Sequence, residues 1–438
     1  MRRLLATVTF LFIAVYLPAQ ALSDLYQDLY GQANAENTGL TAFPALLIPF
    51  GGEYEAMATA YTAVGRDVSF FEANPAASAS LDRTELAFHH KNLIHELNLD
   101  GLVYTMRRDD LGVGLAAKYV HIPFTEYDTL GAQLGTERFS ETVVAANISY
   151  NIARSFFFHG VSLGTNIKVA FRDQYTDTQN AFGFMADVGV LTRFDFLKPF
   201  YSRSENFAVG ITARNLGPPS LLESSTFDNP ASLGEPLPSS INAGIAYSPL
   251  RPLLISGDVS IPFRFDNTPV PEISFAVGLA LNIADFVGIQ TGFQLKGGNP
   301  RISLGAGVRF EEIAIQFNYN LDMTTQYDRP DNFSIQARLD FGDFGRAELR
   351  DRVDALYLQG LEAYAQGELE ESMEALDAAL ELDGDFVPAQ NTLERVRREL
   401  ELNERLEALN EQDIFGAESE QNGTDDPDDS GSPDGEAP

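Results

Sequence analysis

The chain has 438 residues, 63 Asp and Glu against 30 Lys and Arg, a net charge of −33, and no Cys. Without Cys, disulfides, thiolate metal sites and Cys nucleophiles are excluded together. The acid excess speaks against nucleic acid as a partner, because phosphate binding needs clustered Lys and Arg.

Arg2 and Arg3 precede an apolar run from Leu4 to Leu17, and Ala19-Gln20-Ala21 is a small-x-small site. This is the pattern of an export signal, with cleavage expected after Ala21. The run is shorter than the ~20 residues a spanning helix needs. No long apolar run follows, so the rest of the chain offers no transmembrane helix candidate.

Residues 22–82 mix Pro, Gly and small side chains and are expected to form an N-terminal plug or hatch. Residues 83–341 carry the fold. Ile302, Leu304, Ala306, Val308 and Phe310 alternate with Arg301, Ser303, Gly305, Gly307 and Arg309. Phe333, Ile335, Ala337, Leu339 and Phe341 alternate with Asn332, Ser334, Gln336, Arg338 and Asp340. Period-2 alternation is a strand with one apolar and one polar face.

Strands are predicted near 84–90, 94–106, 111–122, 142–152, 160–171, 182–194, 207–215, 240–248, 252–263, 272–282, 286–297, 301–310, 313–321 and 332–341. That makes about fourteen, most of the ~9–11 residues that cross a membrane when tilted. Tight connections such as 107–110, 248–251, 284–285 and 311–312 alternate with longer ones at 123–141, 172–181, 216–239, 264–271 and 322–331. Short turns on one rim and long loops on the other are the asymmetry of an outer-membrane barrel. Phe156 to Phe158, with Phe194, Phe196, Phe200 and Tyr201, suit an interfacial aromatic girdle. A soluble β-sandwich would show the same alternation. Strand length, loop asymmetry and the girdle favour a barrel closed so that no backbone edge meets lipid. Its even strand number puts both ends on one side, which the signal and short turns make the periplasm.

Gly51 to Ser78 contains Ala60-Tyr61-Thr62-Ala63-Val64-Gly65-Arg66-Asp67-Val68-Ser69-Phe70-Phe71-Glu72-Ala73-Asn74-Pro75-Ala76. On the residues alone, Asn74-Pro75 is an extended or turn dipeptide, and the small residues after it suit close packing. The stretch resembles the plug region of the FadL-type long-chain fatty acid and hydrocarbon transporters. The motif residues carried over are Asn74, Pro75 and Ala76. The resemblance implies a lumenal plug, a hydrophobic pocket, and a strand kink that opens a lateral gap. Gly112, Gly114 and Pro123 are the candidate kink. The whole arrangement is most similar to the spirochaetal, UPF0164-type branch, in which such a barrel precedes a helical repeat. Components of type IX secretion share the barrel, so a secretion role stays open.

Residues 353–386 resemble one tetratricopeptide repeat through Gly360, Ala363, Tyr364, Gly367, Leu369, Leu376 and Ala379. Ser372 stands where Ala is usual and Gly384 where Pro is usual. A third helix is expected after Pro388, giving a periplasmic helical unit at 346–409. Residues 410–438 read as a disordered acidic tail.

The five His residues form no ligand pattern, and no linear catalytic or phosphate-binding motif appears. No enzyme activity, cofactor or metal is expected. The expected fold is an all-β transmembrane barrel with a plug, a small helical unit and a tail. The expected function is passive uptake of hydrophobic solutes such as long-chain fatty acids, with lipid and solute as partners. The alternative is a structural or secretion-assembly protein whose residues 346–409 dock a periplasmic protein.

Overall fold

The computed structural model describes residues 41–93, 97–155, 158–173, 180–199, 205–222, 235–264, 272–284, 286–297, 299–322 and 332–421. The expected export signal, residues 22–40 and the tail from 422 lie outside them.

The strands are β1 (Glu85–Asn92), β2 (Asn98–Arg108), β3 (Leu111–Tyr127), β4 (Gln133–Ile152), β5 (Val161–Asp173), β6 (Ala181–Phe194), β7 (Phe207–Leu216), the two-residue β8 (Leu221–Leu222), β9 (Ser240–Leu250), β10 (Leu253–Pro262), β11 (Ser274–Ala284), β12 (Val287–Lys296), β13 (Asn299–Phe310), β14 (Ile313–Asp322) and β15 (Asn332–Asp340). Each long strand pairs antiparallel with its neighbours. β1 pairs with β15 and β5 with β6, so the sheet closes into a barrel of fourteen long strands. Glu85 pairs with Asp340, which places the start of β1 and the end of β15 on one rim. The same rim carries the tight turns at 109–110, 251–252 and 311–312.

Alternation resolves as the sequence pattern requires. On β15, Ser334, Gln336 and Arg338 are buried while Phe333 is exposed. Phe88, Leu115, Ile148, Ile167, Phe184, Ile245, Phe275 and Phe317, on eight different strands, are between 43% and 60% exposed. Transfer of such side chains from water to hydrocarbon is worth roughly 1.5–3 kcal/mol each. A closed wall with apolar side chains outside and polar ones inside suits lipid, where a free sheet edge would leave backbone groups unpaired. A water-soluble body would bury these residues. Among the described residues no helix is long and apolar enough to cross a membrane.

Residues 41–81 lie within the barrel, as short helical pieces at Pro44–Leu47, α1 (Gly52–Ala56), α2 (Phe70–Ala73) and Pro75–Ser80. Most of this inner segment is buried. A Cβ at Gly112 of β3 would strike the backbone of Ser78 and Ala79, and one at Gly292 of β12 the backbone of Met57. Glycine lets wall and segment approach that closely.

Two expectations need correction. The long loop expected at 123–141 is a hairpin: β3 and β4 pair from Leu111–Tyr150 out to Tyr127–Gln133. Pro123 therefore lies inside β3, opposite Arg138, and does not end the strand. The register of β3 runs without a bulge past Gly112 and Gly114 against both neighbours, and past Pro123 against β4. β2 stops pairing at His121 and β5 at Ser140, so among the described residues the ribbon beyond pairs only with itself. Pro is tolerated at such a free edge, where its missing N–H costs no ladder bond.

A second compact unit begins at Gly345. It contains α3 (Arg346–Gln366), α4 (Leu369–Leu382) and α5 (Val387–Gln421). Val353, Leu376, Ala379, Phe386, Leu393 and Val396 form its core. A Cβ at Gly360 would sit 2.8 Å from Leu376, so Gly lets α3 and α4 close together. Ala363 is buried in the same contact and Gly367 ends α3 with φ 80°. Ser372 is explained here: its Oγ donates to the Gly360 carbonyl at 2.7 Å. Tyr364 donates to Glu399 at 2.8 Å, a bond that holds its phenol pKa above the ordinary value. α5 continues to Gln421, past residue 410, where the disordered tail was expected to begin.

Candidate functional site

The lumen is the site, built where the inner segment meets the wall. Asn74 sits at the centre of the Asn74-Pro75-Ala76 turn. Its Nδ2 donates to the carbonyls of Thr62 at 2.9 Å and Val190 of β6 at 3.0 Å, and its Oδ1 accepts from Ala76 N at 3.0 Å. Pro75 and Ala76 pack on the wall at Gly164 and Gly189, and Asn147 of β4 donates to the Pro75 carbonyl at 3.0 Å. Gly112 and Gly114 lie under Ser78 and Phe71, in this same contact. Pro123 takes no part in it.

Charged groups tie the segment to the wall, and the sequence reading did not pick them out. Lys118 of β3 pairs with Glu72 at 2.5 Å, and Glu72 also accepts from Phe50 N at 2.7 Å. Lys91 of β1 pairs with Glu55, which also accepts from Asn320 and Ser334, each at 2.5 Å. Arg338 of β15 pairs with Asp67 at 2.8 Å. In the other direction, Asp258 of β10 accepts from the backbone N–H of Tyr61 and Thr62, and Glu141 of β4 from that of Ala45. A buried ion pair is stable only when both charges are matched and the remaining donors and acceptors are satisfied. Lys91, Lys118, Asp258 and Arg338 all stand at inward positions of alternating strands. That parity was a usable signal for location, but it named no partner.

Above the segment, toward the rim of the long connections, lies a cavity of about 420 Å³. The inner segment gives it an apolar side through Leu46, Leu47 and Pro49, whereas β10 and β12 contribute Asp258, Gln294 and Lys296. The lining is thus amphipathic, more polar than the hydrophobic pocket implied by the resemblance. Arg214 Nε and Asp258 Oδ1 have no hydrogen-bond partner among the described residues, and both residues line this space. A void of about 30 Å³, water-sized, lies between Phe50, Lys118, Lys168 and Arg214. Among the described residues no group of three His, Asp or Glu is placed to hold a metal.

Comparison with known proteins adds the following. A UPF0164 protein of Treponema pallidum (strain Nichols) is 29% identical over 383 residues, 85% of this chain and 87% of that one. A second from the same strain is 26% identical over 383 residues, 83% of this chain and 76% of that one. Among solved structures, the CymD monoaromatic hydrocarbon channel aligns over 69% of this chain and 99% of its own, with 13% identity and a TM-score of 0.48. The Ralstonia pickettii toluene transporter TbuX aligns over 67% and 98%, with 11% identity and a TM-score of 0.47. The model of the uncharacterised protein family UPF0164 matches residues 26–342, the inner segment and the barrel together. The chain belongs to the UPF0164 family.

Proposed function

We propose that this protein is an outer-membrane channel for passive uptake of hydrophobic solutes such as long-chain fatty acids. The observation that carries the reading is an apolar-belted closed barrel with a cavity seated directly on its inner segment. A solute settles in the cavity, the inner segment moves as a plug, and the solute diffuses through. The segment is held in the lumen by hydrogen bonds and ion pairs that can re-form, with no disulfide, which suits a part that moves. The helical unit, a tetratricopeptide-like hairpin with a following helix, lies in the periplasm on this reading.

The test is uptake of a radiolabelled fatty acid by a didermic host that lacks its own transporter. Expression of the full chain should restore uptake, and the purified protein should retain acyl chains detectable by mass spectrometry. No uptake together with an empty protein would defeat the reading.

One observation favours a second role. The helical unit is a compact body with its own core. A pull-down through residues 346–409 that recovers a defined periplasmic complex would support docking and assembly.

A further inference from the structure

Inside the barrel three cations share one small space. Lys118 of β3, Lys168 of β5 and Arg214 of β7 all line the void of about 30 Å³. They stand close enough to repel one another. Apart from Glu72, the rest of the lining is apolar: Leu46, Phe50, Phe71, Ala116, Val143 and Ala145. In such surroundings each charge is felt strongly, and one without a counter-charge is costly.

Two of the three cations are matched. Lys118 donates to Glu72 at 2.5 Å, to the Ile48 carbonyl at 2.6 Å and to the Ala45 carbonyl at 3.3 Å, which uses all three N–H groups of its ammonium. Glu72 accepts in addition from Phe50 N. Lys168 pairs with Asp187 of β6 at 2.6 Å and donates to Asn215 Oδ1 at 2.9 Å, so one of its donors has no acceptor among the described residues. Asp187 is further engaged by Asn166 Nδ2 and by Asn215 N.

Arg214 differs from both. Among the described residues its guanidinium makes one hydrogen bond, from Nη1 to the Tyr54 hydroxyl at 3.1 Å, and no ion pair. Its Nε is buried without a partner. Asp258, another acid close by, accepts from Tyr61 N and Thr62 N instead. A guanidinium does not shed its charge in a protein. Glu72 and Asp187 therefore balance the two lysines, and the charge of Arg214 is left over.

We propose that this void is a binding site for one small monovalent anion, of which chloride is the common example, held by Arg214 and the remaining donor of Lys168. A space of this volume takes a single particle of about the size of water. A halide suits it, whereas sulfate is too large. The ion ties β5 and β7 to the inner segment, whose Leu46, Phe50 and Phe71 close the void on their side. It does with a free anion what Asp258 and Glu141 do with carboxylates of the wall. The inference goes beyond the uptake reading and holds whichever solute the barrel carries.

The test uses the full-length protein in detergent, moved into sodium gluconate and titrated with sodium chloride at constant ionic strength. The midpoint of thermal unfolding should rise by at least about 3 °C and then saturate. Bromide should act alike and sulfate should not. Arg214→Gln should abolish the rise. Lys296→Gln removes a cation that lines the larger cavity and not the void, and should keep it. Crystals of the wild-type protein grown in sodium bromide should show an anomalous peak between Arg214 and Lys168, a readout that stands even if Arg214→Gln does not fold.

A midpoint that ignores chloride overturns the proposal. So does a rise that persists in Arg214→Gln, an equal rise with sulfate, or a bromide crystal with no peak in the void. None of these readouts depends on transport, so failure of the uptake reading and failure of the anion site are told apart.

Discussion

Lys118 holds Glu72 at 2.5 Å inside the barrel, with side chains only 6% and 9% exposed. The ammonium also donates to the Ile48 carbonyl at 2.6 Å and lies 4.2 Å from the centre of the Phe50 ring. One wall residue thus gathers three parts of the inner segment. Lys118→Met leaves the Glu72 carboxylate buried without its partner and should cost about 3–5 kcal/mol. Adding Glu72→Gln should recover much of that. Thermal unfolding in detergent reads both, and a double variant no better than the single would show that the pair does not act as a unit.

Asn74 makes the second anchor. Asn74→Ala removes the bonds to Thr62, Val190 and Ala76 and leaves the buried Ala76 N–H without its side-chain acceptor. The expected loss is about 1–3 kcal/mol. Because the damage is to the segment, limited proteolysis within residues 41–81 should accelerate while the barrel keeps its resistance to heat and detergent on gels. Cleavage at the wild-type rate would count against the anchoring role.

The lipid-facing belt is testable at Leu304, near the middle of β13 and 46% exposed. Leu304→Arg should cost about 2–4 kcal/mol if that surface meets hydrocarbon at mid-depth. Leu358→Arg, at a side chain 63% exposed in the helical unit, should change stability by less than about 0.5 kcal/mol. Equal, small effects at both sites would place Leu304 in water.

The helical unit offers a contrast in packing. Gly360→Val forces a branched side chain against Leu376, 2.8 Å from the nearest position of its Cβ. Overpacking of that kind costs typically about 1–3 kcal/mol. Ser372→Ala loses one bond to the Gly360 carbonyl and should cost about 1 kcal/mol. Hydrogen exchange along α3 in the full chain should rise in that order, and a reversed order would mean the α3–α4 contact is not where the unit is tight.

The strands were legible because lipid imposes the same rule on all of them. Leu304 and Phe333 face outward and Ser303 and Ser334 inward, as alternation alone requires. The ribbon beyond Ile122 was not legible. It projects past the sheet, so neither of its faces has to be apolar, and Glu126, Thr136 and Glu137 disguise it as a loop. Asn74-Pro75-Ala76 stood out through its turn chemistry and its resemblance, and its contacts lie in the lumen. Lys118 did not stand out. Alternation tells which way its side chain points, and only the closed barrel tells that Glu72 is waiting there.

The projecting ribbon has a practical side. Its tip is a firm turn, with Asp128 Oδ1 accepting from Leu130 N at 2.8 Å and Ala132 N at 2.7 Å, and Leu130 is 91% exposed. Since the chain has no native thiol, a cysteine substituted for Leu130 would be its sole target for a membrane-impermeant maleimide added to living cells. Whether it reacts from outside tells which way the molecule is threaded through its envelope, with no tag added at either terminus.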